Sequence, residues 1–117
     1  MKLLTIFLFT LFLIGCSDPE QQQEVTPSVP KQTGKEIYLM YCAQCHGATG
    51  DGKGTLMLDR PARSFIDGGF SFGNTVHAIS KTTASGIPGT PMPPFVDVLS
   101  TEQIKLVSNY VRSFAPT

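Results

Sequence analysis

The run Cys42-Ala43-Gln44-Cys45-His46 brings two thiols and an imidazole into five consecutive residues. Thiols at i and i+3 share one face of a helical turn. From there they can add to the two vinyl groups of a single haem. His46 follows directly, so its imidazole is delivered to the iron; C-x-x-C-H is the pattern of covalent haem attachment. A zinc site would need four ligands, and there is neither a second CxxC nor a distant pair of histidines. A thioredoxin-like redox pair would need a βαβ setting, which the sequence lacks.

Iron held by His46 leaves a sixth position, for which Met57, His77 and Met92 are downstream candidates. Met57 lies 11 residues past His46, in a glycine-rich approach too short to cross to the opposite haem face. His77 falls on a helix and reads more simply as a helix-face histidine. Met92 stands among Pro91, Pro93 and Pro94. These prolines restrict the backbone and lower the entropy cost of holding a thioether on iron, so Met92 is the expected ligand.

The elements that must position these groups are helical. Thr33-Gly34-Lys35-Glu36 fits a capping box. Ile37, Tyr38 and Tyr41 then share one face of a helix that leads into Cys42. Four glycines between Gly47 and Gly54 make a loop, and Arg60 to Phe72 is irregular. Asn74 is the expected cap of a second helix, with Val76 and Ile79 apolar and an end near Gly86. Gly86 to Phe95, with four prolines, is loop. Ser100-Thr101-Glu102-Gln103 is a second capping box, opening a helix with Ile104, Val107, Val111 and Phe114 on one stripe and Tyr110 beside it. No strand and no internal repeat is evident. The expected class is all-α. The ordered part, residues 34–117, is small enough to need a staple, which a haem bonded to the chain would supply.

The N-terminal third reads differently. Lys2 precedes an apolar run from Leu3 to Gly15. At ~1.5 Å per residue this run spans roughly 20 Å, short of the ~30 Å hydrocarbon core, and it reads as a secretory signal, residues 1–15. Leu13-Ile14-Gly15-Cys16 resembles the bacterial lipobox. That resemblance implies a lipidated Cys16 carrying more than one acyl chain, since one chain binds a membrane only marginally. Ser17 to Thr33, with three prolines and three successive glutamines, cannot bury enough apolar surface to order itself. Residues 16–33 are expected to be the lipidated cysteine and a flexible linker. The cysteine count then closes: Cys16 for lipid, Cys42 and Cys45 for haem, none left for a disulfide.

From Gly34 to the C-terminus the chain resembles a class I cytochrome c, a small bacterial monohaem type. Gly34, Tyr38 and the CxxCH motif match the family's N-terminal glycine, aromatic and haem-binding spacing, and Val107 and Tyr110 match its C-terminal helix. Cys45-His46-Gly47, Gly50-Asp51-Gly52 and Gly86-Ile87-Pro88-Gly89-Thr90-Pro91-Met92-Pro93 resemble small bacterial members. The resemblance implies crossed N- and C-terminal helices, with loops and a middle helix around one covalent haem c, and His/Met axial ligation by His46 and Met92, which raises the reduction potential. Pro61 is the expected carbonyl partner of the His46 ring proton. Arg63, or less readily Arg60, is expected to pair with a haem propionate; the alternative is a solvated loop arginine. Phe65, Phe70, Phe72 and Phe95 are expected to line the haem.

Nine basic and nine acidic residues cancel, and no basic stripe suggests a nucleic-acid partner. Iron with both axial positions filled by protein has no place for a substrate. The expectation is therefore a one-electron carrier rather than an enzyme, exported and lipid-anchored to a bacterial membrane, with redox partner proteins in or at that membrane. Two other readings stand beside it: a fixed electron-transfer subunit of a membrane oxidoreductase, and an open-haem peroxidase-like enzyme or gas sensor.

Overall fold

The computed structural model describes residues 31–117. Those residues form four helices and no strand: α1 Gly34–Tyr41, α2 Ala43–His46, α3 Val76–Ser85 and α4 Thr101–Arg112. The expected signal segment, Cys16 and most of the expected linker lie outside the described residues.

Both expected capping boxes form. Thr33 Oγ1 accepts from the Glu36 amide at 3.2 Å, and Glu36 accepts from the Thr33 amide at 2.7 Å. Ser100 and Gln103 make the same reciprocal pair at 3.2 and 2.9 Å. Each satisfies two amides that a helix start otherwise leaves without partners. At α3 the cap is Thr75, one residue later than the expected Asn74: Thr75 Oγ1 accepts from the Ala78 amide at 3.1 Å, the register that serves the first turn. α3 ends at Gly86, whose φ of 64° turns the chain away from the helix.

α1 and α4 pack against each other, and α3 packs on α4. The α1–α4 contact is close because Gly34 has no side chain; a Cβ there would run into the Leu106 carbonyl. Tyr38 and Tyr110 meet across it with ring centroids 5.4 Å apart. Ile37, Tyr38, Ile79, Phe95, Leu99, Ile104, Val107 and Val111 form the buried core. Each aliphatic among them contributes about 1.5–3 kcal/mol on burial. The four-residue stripe read for α4 is the one that packs, with Phe114 half-buried at its end.

Two residues before Gly34 contact α4. Lys31 Nζ lies 2.9 Å from Glu102 Oε1, and Gln103 Nε2 donates to Gln32 Oε1 at 2.8 Å. Residues 31–33, expected in the linker, are thus fastened to the first turn of α4. The ion pair is largely exposed and screened by solvent, so it adds little to stability.

Candidate functional site

α1 runs into Cys42, which caps it: the Cys42 amide donates to Tyr38 O at 2.8 Å. The chain then makes the single turn α2, with the His46 amide donating to Cys42 O at 2.9 Å. That turn brings Cys42, Cys45 and His46 together. Both cysteines are free thiols and half-buried. Burial, with Cys45 alongside, pushes the Cys42 thiol up to about 12.

The glycine-rich segment folds back beside this turn. The amides of Gly52, Gly54 and Leu56 donate to the carbonyls of His46, Cys45 and Gln44 at 2.8, 3.2 and 2.9 Å. At Gly54 a Cβ would strike the Gln44 carbonyl, so only glycine allows this approach. Tyr38 Oη, buried in the core, donates to Gly47 O at 2.7 Å and ties the haem-binding turn to α1.

His46 Nδ1 lies 3.0 Å from the Arg63 carbonyl. A carbonyl only accepts, so Nδ1 carries the proton and Nε2 keeps its lone pair. Burial lowers the His46 pKa, against a smaller upward pull from the Arg63 carbonyl. A neutral imidazole with Nδ1 so engaged presents Nε2 as its metal-ligating atom. This corrects the expectation for Pro61, which is exposed and not the partner. The reason is the path of the loop. Ala62 to Ser64 lies against Gly52, where a Cβ would sit 2.7 Å from Ala62 O, and Phe65 N donates to Gly50 O at 2.7 Å. These contacts bring the Arg63 peptide, two residues past Pro61, over the imidazole. The Arg63 side chain points into a largely exposed setting and makes no ion pair among the described residues.

Aromatic packing completes the His46 side. Phe65 lies parallel to the imidazole, centroids 4.4 Å apart at 15°. Phe70 stacks on Phe65 at 5.2 Å and Phe114 at 6.5 Å. Phe95 is buried, edge-on to Tyr41. Phe72 is 66% exposed. The Phe65 stack and the Arg63 carbonyl are the two features that sequence reasoning did not locate. Their sequence signal was the glycine pair at Gly50 and Gly52, which leaves room for the second loop.

Met92 is half-buried against the core. Its peptide is held on both sides: Met92 N donates to Thr90 Oγ1 at 3.2 Å, and Met92 O accepts from Ile87 N at 3.1 Å. Gly86 closes the loop, since a Cβ there would meet Met92 O, Pro93 C and Pro94 N at 2.6–2.8 Å. Past Pro94 the chain returns to α3, where the amides of Phe95 and Val96 serve the carbonyls of Thr83 and Ala84. Of the other two candidates, Met57 is 94% exposed and His77 lies exposed on α3.

Two free thiols within one helical turn, an adjacent imidazole with Nδ1 against a carbonyl and a half-buried aromatic surround are a donor set that fits a covalently bound haem. Cys42 and Cys45 would hold it and His46 would ligate its iron.

Comparisons with known proteins agree. The Cytochrome c family model matches residues 32–115. No curated protein matches the chain. Among solved structures, a chain of the Kuenenia stuttgartiensis reducing HAO-like protein complex Kustc0457/Kustc0458 is 35% identical with a TM-score of 0.63; the match covers 74% of this chain and 44% of that one. This chain thus spans less than half the length of that relative. The KustC0563 c-type cytochrome is 27% identical, TM-score 0.56, with 73% of this chain and 100% of that chain covered. Cytochrome c6C from Synechococcus sp. PCC 7002 is 27% identical, TM-score 0.50, with 70% and 93% covered. The chain belongs to the cytochrome c family, as a class I c-type cytochrome with one covalent haem c at its CxxCH motif.

Proposed function

We propose that this cytochrome is a one-electron carrier with His46 and Met92 as axial ligands. The observation that supports this best is the backbone of Met92, hydrogen-bonded on both sides within a proline-rich loop against the core. A thioether so held loses little further entropy on ligating iron. When bound, the haem supplies an iron couple that changes by one electron. Cys42 and Cys45 carry it through two thioethers, and the Arg63 carbonyl orients His46 and raises the basicity of Nε2. The Arg63 guanidinium, or that of Arg60, is assigned to a propionate.

The test is the visible spectrum and a potentiometric titration of the holoprotein. A low-spin six-coordinate haem with the weak far-red methionine-to-iron band and a one-electron Nernst slope is expected. A high-spin haem that binds carbon monoxide in the wild-type protein would favour the open-haem enzyme or sensor.

The resemblance of Leu13 to Cys16 to a lipobox supports a lipid anchor, and hence an exported protein tethered to a bacterial membrane by the linker within residues 16–33. A second reading, a fixed subunit beside a larger oxidoreductase, draws on the likeness to a chain of an HAO-like complex. Pull-down from detergent-solubilised membranes separates the two: a stoichiometric partner that survives salt indicates a subunit.

A further inference from the structure

We propose that Phe65 is a positioning residue for the axial ligand, fixing the rotation of the His46 imidazole about its bond to iron. The proposal rests on the reading of His46 as the haem ligand. A single hydrogen bond from Nδ1 to the Arg63 carbonyl anchors one edge of the ring but still lets its plane swing. The Phe65 ring lies parallel to the imidazole at 4.4 Å and 15°, so any swing breaks that stack or drives the two rings together.

Phe65 is itself fixed from three directions. Its amide donates to Gly50 O at 2.7 Å. Phe70 stacks on it at 5.2 Å and 26°. Phe114, just past α4, stacks at 6.5 Å and 12°. Phe114 is held in turn by Tyr38 and Tyr110, at 5.2 and 5.0 Å, and covers Gly50, where a Cβ would sit 2.9 Å from its ring. The α1–α4 crossing is thereby coupled to the orientation of the iron ligand through Phe114, Phe65 and His46. Arg63 and Phe65 sit two residues apart on one loop, so the hydrogen bond and the stack act as a two-point clamp.

The orientation of the ligand plane is read directly by the paramagnetically shifted haem-methyl resonances of the oxidised holoprotein. Phe65→Leu keeps an apolar side chain of similar bulk and removes the flat face. It is expected to change the spread or order of those resonances while the visible spectrum stays low-spin. Phe65→Tyr should restore the wild-type pattern, and Phe114→Leu should move it in the same direction as Phe65→Leu, by less. A wild-type pattern in low-spin Phe65→Leu would overturn the proposal. If Phe65→Leu yields no holoprotein, Phe114→Leu decides: a displaced pattern supports the clamp and an unmoved one rejects it. Failure of the underlying ligand assignment looks different, because His46→Ala would then leave the low-spin spectrum intact.

Discussion

At His46 the chemistry depends on which nitrogen carries the proton, and a backbone carbonyl decides it. Arg63 O accepts from Nδ1, and side-chain substitution at Arg63 leaves that carbonyl in place. Changes at Arg63 should therefore act through a propionate, if at all, and spare the tautomer. Met92 is a sharper test. Met92→Ala removes the proposed thioether, and the reduction potential should fall on the order of 0.1–0.3 V, a fraction of the ~0.8 V range that axial ligands span. The variant should also bind carbon monoxide or cyanide readily. If His77→Ala produces these changes and Met92→Ala does not, the ligand is His77. Tyr38 offers a stability test within the same residue set. Tyr38→Phe leaves the Gly47 carbonyl without its 2.7 Å partner and should cost about 1–3 kcal/mol in urea denaturation, at unchanged m.

Among the elements, α1 and α4 carry their own instructions, and both capping boxes were legible because each needs only four consecutive residues. Glu36 makes the first of them pH-dependent. Its two hydrogen bonds to Thr33, backbone then side chain, hold its carboxyl below the ordinary 4.5. The stabilisation is complete above the unfolded value and is lost as pH falls through the lower folded one. The Tm difference between wild type and Glu36→Gln should thus shrink as pH drops below about 4.5. At the α1–α4 crossing, Gly34→Ala would press a methyl into the Leu106 carbonyl and should cost about 1–3 kcal/mol, read as a drop in Tm. The haem-binding turn was equally legible, since its thiols and imidazole are contiguous. The segment from Arg60 to Phe72 was not. It has no helical period, and its geometry is set by long-range amide bonds to Gly50 and by close approach to Gly52. A reading by residue type therefore favoured Pro61 over Arg63. The cap at Thr75 was missed because Asn74 is an equally good capping type; only the backbone path chooses between them.

For the whole molecule, four short helices over residues 31–117 bury a small apolar core, so the covalent haem and the fold depend on each other. The double change Cys42→Ala, Cys45→Ala should yield little holoprotein, and any haem it holds should come away in acid–acetone. The proposed tether sets how the folded unit meets its partners. Lys31 and Gln32 fasten its root to α4 through Glu102 and Gln103, so the span left to act as a tether is residues 17–30. A flexible tether of that length would have an r.m.s. span of about 20 Å, which would let the haem edge turn from a membrane donor to a second partner. Confinement at that distance raises the carrier's effective concentration near both. Cys16→Ser should release the protein from membranes without altering the haem spectrum. Deleting residues 19–29 should keep it on the membrane and slow electron delivery, measured as turnover of the native membrane chain. Equal turnover for the full-length and shortened proteins would reject the moving carrier in favour of a fixed subunit, because a docked domain has no use for reach.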